Sequence, residues 1–157
     1  MNSYTATELR NRYRAAVQDA QAARAFGEHM DAYTGDGALH LGYKAAARAL
    51  VARYEWIPLV KLSYVQAAMQ LFREAVRRDP TQFEVRFLRF SIQHYLPAFL
   101  GQSGDLHDDK AFLLKHIGEH SRWDLTAAEA REMAGFLIES KRLSATELQL
   151  LRQTLHV

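Results

Sequence analysis

The sequence predicts an all-α protein, with seven or eight helices packed as antiparallel hairpins. Three observations carry that expectation. Apolar residues recur at helical rather than alternating spacing along almost the whole chain. Three capping boxes, Thr5 to Glu8, Thr126 to Glu129 and Ser144 to Glu147, each open an apolar-periodic run. In such a box the hydroxyl and the carboxylate satisfy two amide donors at a helix start. The connections between runs are mostly short, which makes successive helices antiparallel neighbours.

Thr5 opens the first stretch, with Tyr4 and Leu9 in the positions of a hydrophobic staple. Leu9, Tyr13, Ala16 and Ala20 recur at spacings of 4, 3 and 4 and form one face. Asp is a good N-cap, so Asp19 divides the stretch into helices of about 7–18 and 20–33, with one long helix as the alternative. Thr34-Gly-Asp-Gly37 is a turn, and Asp36 is placed to cap the helix that runs to about Glu55. Gly42 inside that helix costs about 1 kcal/mol relative to Ala. It marks the close approach of a neighbouring helix. Trp56-Ile-Pro58 then breaks the helix, because proline lacks an amide donor.

The next helix covers about 62–78, with Tyr64, Val65, Ala68, Leu71, Phe72, Ala75 and Val76 inward, and Asp79-Pro80 stops it. The helix of about 81–95 is apolar on most sides: Phe83, Val85, Phe87, Leu88, Phe90, Ile92 and Tyr95 surround it. Such a helix is central, packed by several neighbours. One stripe stays polar, formed by Gln82, Arg86, Arg89 and Gln93 at spacings of 4, 3 and 4. After Leu96-Pro97, Asp105 is placed as the N-cap of a helix carrying Phe112, Leu113, Leu114 and Ile117, which frays at Gly118. The capping boxes at Thr126 and Ser144 open the last two helices.

The 157 residues are 48% hydrophobic and 24% charged, the composition of an ordinary globular domain. The net charge of +2 is too small to argue for nucleic acid or membrane. The arginines 10, 12, 14, 73, 77 and 78 are interrupted by Glu8, Glu74 and Asp79 and read as a solvated face. With no cysteine, thiolate nucleophiles and Cys-based zinc sites are excluded. No run approaches the roughly 18 apolar residues of a membrane span. The start MNSYTATELR lacks the pattern of a signal peptide, so the expected compartment is cytoplasmic as the sequence stands. It is periplasmic or exported if a leader has been removed before Met1.

Ala68, Phe72, Ala75 and Pro80 have the 4, 3 and 5 spacing of the second half of a tetratricopeptide repeat. In that pattern small residues let two helices approach, an aromatic fills the groove and proline ends the unit. The preceding helix departs from it, with Leu41-Gly42 displaced upstream of the WIPLVKLS stretch. A longer likeness lies in LGYKAAARALVARY, KLSYVQAAMQLFREAVRRDP, EVRFLRFSIQHYLPAFLG and DDKAFLL. Together these resemble an uncharacterised helical family common in Bacteroidota, over about residues 41–114. RFLRFSIQHYLPAFLG is the most specific part. The resemblance implies a tetratricopeptide-like fold, with its core at about 36–118 of a single all-α domain of 1–157. It implies no activity, and some members of the family carry export signals.

Arg86, Arg89 and Gln93 are the candidate ligand-binding residues. An arginine stripe can grip a carboxylate or a peptide terminus bidentately. The competing reading pairs the stripe with Asp105, Asp108 or Asp109, since a buried arginine must be paired. His116-Ile-Gly-Glu-His120 matches H-x-x-E-H. On a helix both histidines share a face and can share a zinc ion. Gly118 interrupts that helix, and no third ligand is specified. His94-Tyr95 reads as a packed aromatic pair. No catalytic residue, cofactor or metal is assigned. The expected function is a non-enzymatic module for an unknown protein or peptide. The alternatives are a zinc-dependent hydrolase using residues 116–120 and a purely structural domain of an exported protein.

Overall fold

A computed structural model of the chain describes residues 4–157. Met1, on which the question of a removed leader turns, lies outside the described residues together with Asn2 and Ser3. The described chain is all-helical: α1 (Ala6–Ala16), α2 (Ala20–Ala32), α3 (Ala38–Tyr54), α4 (Pro58–Arg78), α5 (Phe83–Tyr95), α6 (Leu106–His116), α7 (Ala127–Glu139) and α8 (Ala145–Leu155). Two 3-10 segments, Ala98–Leu100 and Ile117–Trp123, join them, and no strand occurs among the described residues. The chain divides into two compact units, the first ending at Arg89 and the second beginning at Phe90.

In the first unit, Thr5 and Glu8 form the expected capping box, with amide-to-side-chain distances of 3.2 and 2.7 Å. Asp19 caps α2 by accepting from the Ala22 amide at 2.8 Å, so the first stretch is two helices. Asp36 does not cap α3. Gly37 holds that position without a side-chain bond, and Asp36 pairs with Arg78 at 3.4 Å. The start of α4 also differs from expectation. It begins at Pro58 rather than near Leu62, because proline at the first helical position loses no intrahelical bond.

Small residues let these helices approach. Ala45, Ala46, Ala68 and Ala75 are fully buried, and Phe72 fills the space beside them. A Cβ added at Gly42 would lie 2.8 Å from Val85 Cγ2, so α3 and α5 touch at the glycine. The close approach expected of Gly42 is met by α5.

In the second unit, Phe90, Leu113, Ile117, Leu125, Ala130 and Leu137 form a core with Leu151 and Leu155. Thr126 and Ser144 cap α7 and α8 as reciprocal boxes. α6 ends at His116, two residues before Gly118, and continues as a 3-10 segment. Gly118 faces α8, where an added Cβ would be 3.0 Å from Thr154 Cγ2. Lys110 ties α6 to the start of α8, donating to Glu147 at 3.1 Å and to the Arg142 carbonyl at 3.0 Å.

Candidate functional site

The polar stripe of α5 does not present a continuous open face. Arg86 is half-buried and donates from Nε and Nη2 to the Pro80 carbonyl at 3.1 and 3.0 Å, tying the turn before α5 to its first coil. Arg89 and Gln93 are only 4% and 2% exposed. Gln93 Nε2 donates to Asp105 Oδ2 at 2.9 Å. Asp105 sits at the cap position of α6 but makes no side-chain cap bond, since its carboxylate is spent on Gln93. The expectation paired the arginines of the stripe with this acidic segment; the bond to Asp105 comes from Gln93. Asp108 is exposed and Asp109 is fully buried.

A second buried polar cluster escaped the sequence reading. Glu84, 2% exposed, accepts from Arg10 Nε at 2.9 Å and from the Tyr43 hydroxyl. Three helices, α1, α3 and α5, each give one side chain to this point. Burial, reinforced by the Glu84 charge, pushes the Tyr43 phenol well above its ordinary value. Burial likewise pushes Tyr13, whose ring stands edge-on to Tyr43, up to about 12. Both phenols are therefore neutral, and that of Tyr43 is a donor. One signal was available: Glu84 is the only acid between Gln82 and Leu96, on a helix apolar over most of its surface. A lone carboxylate there needs a partner. Arg10, counted with a solvated arginine face, is that partner and is 5% exposed. Arg77 and Arg78 of the same set donate to Glu74 and hold its carboxyl at about 2.

The two histidines of the H-x-x-E-H match have separate partners. The segment from Ile117 to Trp123 is 3-10, and Glu119 has non-helical angles of φ −95° and ψ 23°. That kink removes the shared face a zinc site needs. His116 Nδ1 lies 3.2 Å from Glu119 Oε1, while His120 Nδ1 lies 2.8 Å from the Leu125 carbonyl. A carbonyl only accepts, so Nδ1 of His120 carries the proton. Among the described residues no group of three His, Asp or Glu side chains is placed to hold a metal. His94 is packed edge-on against Tyr95 and Phe136, and its Nδ1 accepts from Arg142 Nε at 2.9 Å. Burial first, then the Arg142 charge, lowers its pKa.

α8 carries an open concavity of about 440 Å³, lined by Ala145, Leu148, Gln149, Arg152, Gln153, His156 and Val157. The lining alternates because α8 turns only Leu151 and Leu155 fully inward. Arg152 and His156 have no side-chain partner among the described residues, so a cation and an imidazole stand free beside the apolar Leu148 and Val157. Gln149 and Gln153 add amide donors and acceptors one turn apart. The sequence reading gave this helix only its capping box and its apolar run.

No family model, curated protein or solved structure matches this chain. Among the described residues no helix is long and apolar enough to cross a membrane.

Proposed function

We propose that this protein is a non-enzymatic, tetratricopeptide-like helical module that binds a peptide segment of a protein partner in the α8 concavity. The observation that carries the reading is the unpaired Arg152 guanidinium set beside Leu148 and Val157. An exposed guanidinium next to apolar surface suits a carboxylate carried on an apolar residue, since Arg matches a carboxylate in a two-bond fork. The Ala68, Phe72, Ala75 and Pro80 spacing and the likeness of residues 41–114 to the Bacteroidota family support the tetratricopeptide-like part. In this reading Arg86, Arg89 and Gln93 hold the fold and are not the contact surface. Binding of peptide pools with free or amidated C-termini tests it. The expected result is preference for the free carboxylate, lost in Arg152→Glu. Equal binding of both pools, or binding that survives Arg152→Glu, refutes it.

A further inference from the structure

The turn between α3 and α4 ends in a bare apolar tip in the first unit. Trp56, Ile57 and Leu59 are 86%, 50% and 79% exposed. The tip is stiff. Helices run into it from both sides, no glycine lies between Gly42 and Gly101, and Pro58 occupies the first position of α4. The amides from Glu55 to Ile57 are already paired. Glu55 N–H donates to the Ala52 carbonyl at 3.2 Å, and Trp56 and Ile57 N–H donate to Glu55 Oε1 at 3.0 and 3.3 Å. Pro58 has no N–H, and the Ile57 carbonyl accepts from Lys61 N–H at 2.9 Å. Paired backbone groups can leave water without the penalty that unpaired ones carry. Arg53 and Lys61, both exposed, flank the tip, and the Lys61 amine has no partner among the described residues.

We propose that this tip docks on an anionic lipid surface, with Trp56, Ile57 and Leu59 in the headgroup boundary and Arg53 and Lys61 at the phosphates. Three features favour lipid over a protein occupant. A stable protein interface takes about 800 Å² and roughly 20–30 residues from each partner, far more than three side chains supply. Shallow insertion of a few apolar side chains, joined to basic residues, is enough for reversible attachment to a bilayer surface. Tryptophan is enriched at that boundary, where its ring has an apolar body and a polar N–H. The one acid at the tip, Glu55, turns its carboxylate back onto the amides that lead into α4, where the helix dipole also favours it.

The test is sedimentation of the full chain with vesicles of phosphatidylcholine alone or with added phosphatidylglycerol, alongside tryptophan emission. The Trp56 contribution is the difference between the wild type and Trp56→Phe. Binding is expected on the anionic vesicles, with a blue shift of that difference spectrum and weakening in high salt. Trp56→Ser with Leu59→Ser removes binding without moving the melting temperature, because both side chains are exposed. Reversing charge at Arg53 and Lys61 lowers affinity for anionic vesicles about 25-fold or more, from roughly a factor of five per basic residue. Failure to sediment with anionic vesicles overturns the proposal, as does binding that survives the double serine variant. A concentration-dependent dimer abolished by the serine pair, with no vesicle binding, assigns the tip to a second copy and overturns it as well.

Discussion

Arg10 of α1 donates to Glu84 of α5 at 2.9 Å where the two side chains are 5% and 2% exposed. Neither charge has water to fall back on. Arg10→Met therefore removes the guanidinium from a buried carboxylate and is expected to cost about 3–5 kcal/mol. Replacing both partners with apolar residues costs less than the sum of the single changes, because no orphan charge remains. Urea denaturation of the two single variants and the double variant measures this. A double variant as damaged as the sum of the singles contradicts it. Tyr43→Phe removes a hydroxyl donor to the same carboxylate and should cost about 1.5–3 kcal/mol.

Gly42→Ala is expected to destabilise even though alanine is the better helix former by about 1 kcal/mol. The new methyl would meet Val85 Cγ2 at 2.8 Å, with α5 behind it. Overpacking of this kind costs about 1–3 kcal/mol. Adding Val85→Ala should recover part of the loss. Thermal melts that show Gly42→Ala more stable than the wild type would refute the close approach of α3 and α5.

Gln93→Leu breaks the bond to Asp105, a charged acceptor in a part-buried site. The expected loss is about 1–3 kcal/mol. Asp105→Asn keeps an acceptor for Gln93 and should cost less. If the two variants melt alike, the pairing contributes nothing to stability.

His94 and His29 give the fold an acid sensitivity. Both are lowered from the ordinary 6.5, chiefly by burial and then by Arg142 and Arg12 respectively. The folded state thus binds fewer protons than the unfolded state. Stability is fully present above about pH 6.5 and is lost as the pH falls through the lowered folded values. Comparing urea midpoints at about pH 7.5 and about pH 5.5 should show the loss, and His94→Gln with His29→Gln should flatten it. An unchanged wild-type midpoint would count against this assignment.

Adding zinc should leave the melting temperature where it is, since the 3-10 kink turns His116 toward Glu119 and His120 toward Leu125. His120→Ala should still lower it, by loss of the bond to the Leu125 carbonyl. One equivalent of zinc retained through dialysis would reverse this conclusion.

Helix class, the Asp19 break, the three capping boxes and the role of Gly42 were all legible in the sequence. Each depends on interactions spanning a few residues, or on a steric fact about one residue type, and such interactions repeat wherever the pattern does. The start of α4 was misplaced because proline carries two opposite meanings: it ends a helix from inside and begins one at its first position. Asp36 and Asp105 were read as caps from position alone. Long-range partners, Arg78 and Gln93, took both carboxylates instead.

What local pattern could not decide is which charged residues turn inward. Arg10 and Arg14 lie one turn apart on α1 and look alike as sequence, yet Arg10 is buried on Glu84 and Arg14 is exposed. That choice belongs to the packing of α1, α3 and α5, where residues 74 positions apart meet. The bareness of Trp56 and the free guanidinium of Arg152 were settled the same way. By itself the sequence determined the helices, their ends and the small residues that let them pack. Only the tertiary structure decided which polar groups are spent on one another and which remain for a partner, because burial and pairing depend on neighbours distant in the chain.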